Sequence, residues 1–181
     1  MNLEMFNQIA SITDHLYLSS AAAVNPDRIR TIGITHIINV TMEIRNLNMP
    51  TVQSIQLHVE DAPHARLSVY FDRAADKIHQ VHKRGGRTLV HCVAGVSRSA
   101  SLCIAYLMKY HRLNLAEAYY HVKKRRYVIR PNAGFWQQLI DFEQKLFGRA
   151  SVKMIQSSIG WIPDVYKEES RNMVWFPSRR Y

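Results

Sequence analysis

The nine residues His91-Cys92-Val93-Ala94-Gly95-Val96-Ser97-Arg98-Ser99 constrain this chain more than any other segment. They join an apolar run, Thr88-Leu89-Val90, to a helical pattern that starts at Ser99 and carries Leu102, Cys103, Tyr106, Leu107 and Tyr110. A strand that turns sharply into a helix N-terminus points backbone N–H groups inward, and the helix dipole adds positive potential, so the turn attracts anions. A thiol in such a place ionises readily. An arginine that closes the same turn offers a planar fork matched to phosphate oxygens. Anion cradle, nucleophile and charge clamp in one segment point to covalent phosphoryl chemistry.

The rest of the chain supplies the scaffold such a turn needs. Residues 11–20 read as a short edge hairpin, with Leu16 and Leu18 alternating. Pro26 to Ile32 reads as a helix ending at Gly33. Thr35 to Val40 is a β-branched run suited to a buried strand, and Ser54 to Val59 alternates as the next one. Tyr70 to Lys83 has helical spacing, and Gly85-Gly86 ends it before the strand Thr88 to His91. Asn114 opens a helix through Val122, and Asn132 opens another that ends at Gly148. Strands separated by helices indicate an α/β domain with a mostly parallel sheet. Ligands in such sheets bind at the carboxyl ends of strands, where Cys92 falls. Residues 149–181 are less regular and are expected to pack back on the domain, with Trp175 to Tyr181 fraying.

At 181 residues the chain suits one domain with a proper core. No apolar run approaches bilayer length, so no membrane association is expected. Met1 to Phe6 lacks a secretory pattern, and Asn2 excludes myristoylation. Two cysteines, Cys92 and Cys103, make no disulfide framework and point to a reducing compartment, cytoplasmic and also nuclear. The net charge of +10 would suit nucleic acid, but it equally suits an enzyme that draws in phosphorylated substrates. Lys123-Lys124-Arg125-Arg126 closes a helix, where cations are favourable at the negative end of the dipole. Docking of a substrate or partner is the second reading of that cluster. His79 and His82 share a helix but have no further ligand cluster, so no metal site is expected. Cys103 lies on an apolar helix face and reads as core; whether it can reach Cys92 for a redox bridge depends on a separation the sequence does not hold.

Cys92 to Arg98 fits the C-x5-R loop of the cysteine-dependent tyrosine phosphatase superfamily. The fuller string through Ser99, together with Ala105-Tyr106-Leu107-Met108 and Arg130-Pro131-Asn132, resembles the dual-specificity protein phosphatases. Ile162-Pro163-Asp164-Val165-Tyr166 looks like a small subgroup of their atypical members. The resemblance implies a five-stranded, mostly parallel sheet flanked by helices. It implies a catalytic domain over residues 1–148, an extension over 149–181, no kinase-docking domain ahead of it, and no cofactor. It implies hydrolysis of phosphotyrosine and phosphoserine or phosphothreonine on proteins, kinases of a signalling cascade among them, by a monomer that binds no nucleic acid.

The same resemblance implies roles for individual residues. Cys92 attacks phosphorus, and a thiolate both attacks well and leaves acceptably. Val93, Ala94, Gly95, Val96, Ser97 and Arg98 hold the phosphate, with Gly95 allowing close backbone approach. Ser99 donates to the leaving thiolate or caps the helix, and both readings stand. Asp61, in Asp61-Ala62-Pro63 and 31 residues before Cys92, protonates the departing oxygen and then activates water. Glu60 is its nearest rival. His91 supports the loop and is not a base, and Asn132 ties down the neighbouring segment. Two rival functions share these residues. An RNA or phosphoinositide phosphatase could use the same loop, although lipid-directed members tend to carry lysines where residues 93, 94 and 96 are uncharged. A phospho-binding scaffold without turnover has no use for the thiol.

Overall fold

The computed structural model describes residues 3–173, and the expected fraying of Trp175 to Tyr181 lies outside them. In chain order the elements are α1 (Leu3–Phe6), β1 (Ala10–Ser11), β2 (Leu16–Ser20), α2 (Pro26–Ile32), β3 (His36–Asn39), β4 (Gln53–Gln56), α3 (Phe71–Lys83) and β5 (Thr88–Cys92). There follow α4 (Arg98–His111), α5 (Leu115–Arg125), α6 (Ala133–Phe147), β6 (Met154–Ser157), β7 (Gly160–Pro163) and α7 (Asp164–Met173). None of the described helices is long and apolar enough to cross a membrane.

The main sheet has the order β1-β2-β5-β3-β4, parallel except for β1. The residue 11–20 hairpin therefore does not lie wholly at the edge: β2 pairs with β5 and sits inside the sheet. Period-two alternation sorts the strands onto two faces. Ile38 and Val90 join the larger core, while Ile37 and Leu89 pack with Ile29, Ile34, Met49 and Val52 under α2. Helix α4 runs through the larger core, and every residue from Arg98 to Met108 is buried. Its sequence marks only one apolar face, because Ser99, Ala100, Ser101 and Ala105 carry no hydrophobic signal yet let neighbouring elements approach closely. The five-stranded α/β architecture expected above is what is observed.

Two boundaries differ from the sequence reading. Strand β4 stops at Gln56, not Val59. Leu57 and Val59 are nonetheless buried, and Leu57 N–H still donates to Asn39 O at 2.8 Å. Their alternation records a chain that stays against the core after the ladder ends. The segment after Gly148 is more regular than its sequence suggests. Antiparallel β6 and β7 form a hairpin, and α7 follows at once. Asp164 N–H donates to Lys153 O, and Asp164 Oδ1 accepts from Lys153 N–H, which closes the hairpin onto the helix. The extension is stapled to the domain by Trp136 Nε1–H donating to Tyr166 Oη at 2.8 Å and by Tyr119 Oη donating to Glu169 at 2.7 Å. These partners lie about 30 and 50 residues apart, so local periodicity carries no trace of them.

Candidate active site

Cys92 is the last residue of β5, and α4 begins at Arg98. The five residues between them can be followed one hydrogen bond at a time. Val93 O accepts from Ala21 N–H at 3.0 Å. Ala94 O and Gly95 O accept from the Arg126 guanidinium at 3.1 and 2.8 Å. Val96 O accepts from Arg130 N–H at 2.8 Å, and Ser97 O accepts from the Ser101 N–H and hydroxyl. Every one of these carbonyls is engaged on the outside of the turn. In a trans peptide the next N–H points the opposite way, and the described chain has no cis bond. The N–H groups of residues 94 to 98 therefore converge on the inside, as an anion nest requires. One of them, Gly95 N–H, donates to Cys92 Sγ at 3.3 Å.

Gly95 has φ +67°, and a Cβ there would lie 2.5 Å from Ser19 O. Only glycine lets the turn pass this close to β2. Cys92 is 2% exposed, and its sulfur also lies 3.1 Å from Ser99 Oγ. The α4 N-cap position belongs to Ser97, so the Ser99 hydroxyl is placed against the sulfur and not at the helix cap. His91 is buried, and burial pushes its imidazole below the ordinary range, so the ring is neutral at neutral pH. Its Nδ1 is 3.2 Å from Cys92 O.

Arg98 is 4% exposed and half-committed. Its Nη1 donates to Val59 O at 2.9 Å and to Glu43 Oε2 at 3.1 Å. Its Nε is buried without a partner among the described residues. A buried guanidinium N–H left unpaired is costly, so this edge is built for an acceptor that arrives with a ligand. One edge of the fork is anchored and the other is free for a bidentate oxyanion. Burial works against the charge on Glu43, but its own backbone N–H and Arg98 outweigh it and hold the carboxyl below the usual range.

Asp61 is exposed and approaches from the segment after β4. Its Oδ1 accepts from Asn132 Nδ2 at 2.9 Å. Asn132 also caps α6 through Oδ1 to Phe135 N–H, and its own N–H donates to Ser97 Oγ at 3.0 Å. One side chain thus links the carboxylate, the helix and the anion loop. Glu60 lies 3.6 Å from His64 and is exposed. The Asp61 segment is clamped by α6 at two further points. Gln138 bonds Ser68 N–H and Ala65 O, and Gly134 packs against Pro63. A Cβ on Gly134 would fall 1.9 Å from Pro63 O. Gly134→Ala is therefore expected to push the Asp61 loop outward and lower kcat by about 10–10²-fold. The loss should be larger for alkyl phosphates than for para-nitrophenyl phosphate, which needs little acid assistance. Equal loss with both, in a steady-state comparison, would mean the loop had not moved.

Glu43, Gly134 and Gln138 were not singled out by sequence, and Arg126 was read only as one of a basic cluster. Glu43 had a usable signal, since it follows β3 at the carboxyl end of a strand next to β5. Arg126 corrects the reading of the Lys123–Arg126 cluster. It is 3% exposed and carries no helix-end charge into solvent. Besides the loop carbonyls it bonds Gln8 O at 2.9 Å, which fastens residues near the N-terminus to the outer side of the anion loop. Truncating it would orphan the buried Gly95 carbonyl, at about 1–3 kcal/mol. His79 and His82 spend their rings on stacking, with Tyr110 and His15 respectively. Cys103 is fully buried, and burial pushes its thiol far up, as suits a core residue.

The comparisons with known proteins agree with this geometry. Residues 16–145 match the family model described as dual specificity phosphatase, catalytic domain. The chain is 57% identical over 167 residues to dual specificity protein phosphatase 14 of Mus musculus, covering 92% of this chain and 84% of that one. It is 49% identical over 167 residues to dual specificity protein phosphatase 18 of Rattus norvegicus, covering 92% and 82%. The crystal structure of human DUSP28 superposes with a TM-score of 0.73 at 34% identity, covering 76% of this chain and 94% of that chain.

Proposed function

Since the chain belongs to the dual specificity phosphatase family and is an enzyme of that class, we propose that it hydrolyses phosphotyrosine and phosphoserine or phosphothreonine through a phosphocysteine at Cys92. In the first step the Cys92 thiolate attacks phosphorus, a P–S bond forms and the P–O ester bond breaks. The N–H groups of residues 94 to 98 and the free edge of Arg98 hold the non-bridging oxygens, whose charge is greatest in the transition state. Asp61 gives its proton to the departing oxygen. In the second step Asp61 takes a proton from water as the water oxygen attacks phosphorus. The P–S bond breaks, inorganic phosphate forms, and the thiolate returns to the hydrogen bonds from Ser99 and Gly95.

The observation that carries this reading is an inward-facing nest with an N–H on the Cys92 sulfur and, in the same loop, a buried Arg98 Nε without a partner among the described residues. A binder needs the nest but gains nothing from a thiol that accepts from Gly95 N–H and lies against the Ser99 hydroxyl. The experiment is a denaturing quench during turnover of labelled para-nitrophenyl phosphate in the presence of EDTA. Label is expected on the proteolytic peptide that contains Cys92. Turnover with no label there, or turnover abolished by the chelator, would overturn the mechanism.

A further inference from the structure

We propose that the C-terminal hairpin builds a subsite beside the active site for the substrate chain itself, taking a bulky apolar side chain next to an acidic residue. The proposal rests on the catalytic reading above and adds what flanks the phosphorylated residue. The hairpin carries two large apolar side chains turned to solvent, Ile159 at 78% and Trp161 at 60% exposure. They line a cavity of about 340 Å³ together with Arg130, Asn132, Trp136 and Tyr166. That volume holds one large side chain comfortably.

Its position argues for the substrate as occupant. The 130–132 segment is wall to both sites. On one side Arg130 N–H bonds Val96 O and Asn132 N–H bonds Ser97 Oγ, so the segment lies against the anion loop. On the other side the same residues line the cavity. Asn132 Nδ2 also donates to Asp61 Oδ1 at 2.9 Å, so the wall adjoins the carboxylate that faces the departing oxygen, and a substrate backbone on that side of the site passes it. An extended chain advances about 3.3 Å per residue, so the cavity is within reach of a residue close to the phosphorylated one.

The wall is also rigid and charged. Tyr166 is held by Trp136 Nε1–H at 2.8 Å and donates to Pro131 O at 3.3 Å. The exposed Arg130 guanidinium lies 4.1 Å from the Tyr166 ring centroid, which keeps the cation at the rim of the cavity. An apolar floor with one fixed cation suits an acidic chain. It suits a second copy of this protein poorly, because two bodies of net charge +10 repel.

The test compares kcat/KM for phosphopeptides that differ only in carrying Leu, Phe or Ala at each position near the phosphorylated residue, with Glu or Gln beside it. The wild-type enzyme should prefer the bulky residue at one position by about tenfold. Trp161→Ala and Ile159→Ala should erase that preference through KM. Arg130→Met should erase the preference for Glu over Gln. Trp161→Ala and Ile159→Ala should leave kcat for para-nitrophenyl phosphate and the melting temperature unchanged, since those side chains are exposed, while for Arg130→Met the readout is the Glu-to-Gln ratio of kcat/KM within the variant itself. A wild-type enzyme without positional preference, or variants that keep it, would overturn the proposal. A shift from dimer to monomer in Trp161→Ala with the preference intact would assign the face to a second copy, and so overturn it as well. If the wild-type enzyme fails to hydrolyse para-nitrophenyl phosphate, the catalytic reading falls on its own. The same peptide preferences, measured as binding by calorimetry, then decide the subsite.

Discussion

Cys92→Ser is expected to reduce turnover roughly 10⁵–10⁶-fold, the scale on which removal of a catalytic nucleophile acts. The substitution exchanges one atom in a site that is 2% exposed, so the nest, Arg98 and Glu43 stay as they are. A serine hydroxyl in the same place carries no ready negative charge. Among the described residues the hydrogen-bond partners of Cys92 Sγ are Ser99 Oγ and Gly95 N–H, neither of them a base, and the neighbouring His91 directs Nδ1 at a backbone oxygen. Affinity for a phosphopeptide should persist or rise, because the oxyanion then meets the five inward N–H groups without a competing thiolate. Calorimetry with a phosphotyrosine peptide checks the second half and a para-nitrophenyl phosphate assay the first. A variant that keeps a wild-type rate would remove Cys92 from the reaction. A variant that loses rate and binding together would show that the sulfur holds the loop in shape and is not simply the nucleophile.

Asp61→Asn is expected to slow hydrolysis by about 10²–10⁴-fold with alkyl phosphates and much less with aryl phosphates of acidic phenols. The difference is the content of the prediction. A leaving oxygen that is already a weak base gains little from a proton donor. The amide is close in size to the carboxyl, and Asn132 Nδ2 can still donate to its oxygen, so loop position should survive. The measurement is a plot of log kcat against leaving-group pKa, which should be flat for the wild-type enzyme and steep for the variant. A parallel downward displacement at every leaving group would indicate that Asp61 positions the loop and does not supply the proton. In that case Glu60, exposed in the same segment, becomes the group to substitute next.

Cys92 was legible in its own segment, whereas Asp61 was picked out through the family resemblance, by its place 31 residues before Cys92. Cys92 stands at a fixed distance from Arg98 in a turn whose length is set by backbone geometry. Asp61 sits before Ala62-Pro63 at the end of an alternating run. Helices α5 and α6 could be placed from Asn114 and Asn132 because a cap and its N–H partner lie three residues apart. The hairpin and helix after Gly148 were not legible. Their stability comes from Tyr166 on Trp136 and Glu169 on Tyr119, contacts that carry no spacing rule. The Ser99 question is of the same kind. A serine near a helix start can cap or donate elsewhere, and only the position of Cys92 Sγ at 3.1 Å distinguishes the two.

The sequence by itself determined the candidates, a cysteine, an arginine and an aspartate in the pattern of the family, on an α/β scaffold that brings strand ends together. What the tertiary structure alone decided is how they are held in place. Arg126 holds two of the loop carbonyls outward, Glu43 and Val59 O fix one edge of Arg98, and Gly134 lets Pro63 pack against α6. Most of these bonds end on backbone oxygens or on a missing Cβ. Every residue has such an oxygen and every glycine lacks that carbon, so a string of side-chain names cannot say which will meet. That choice is made when the sheet and α6 pack, and it turns a loop capable of binding phosphate into one aimed at it.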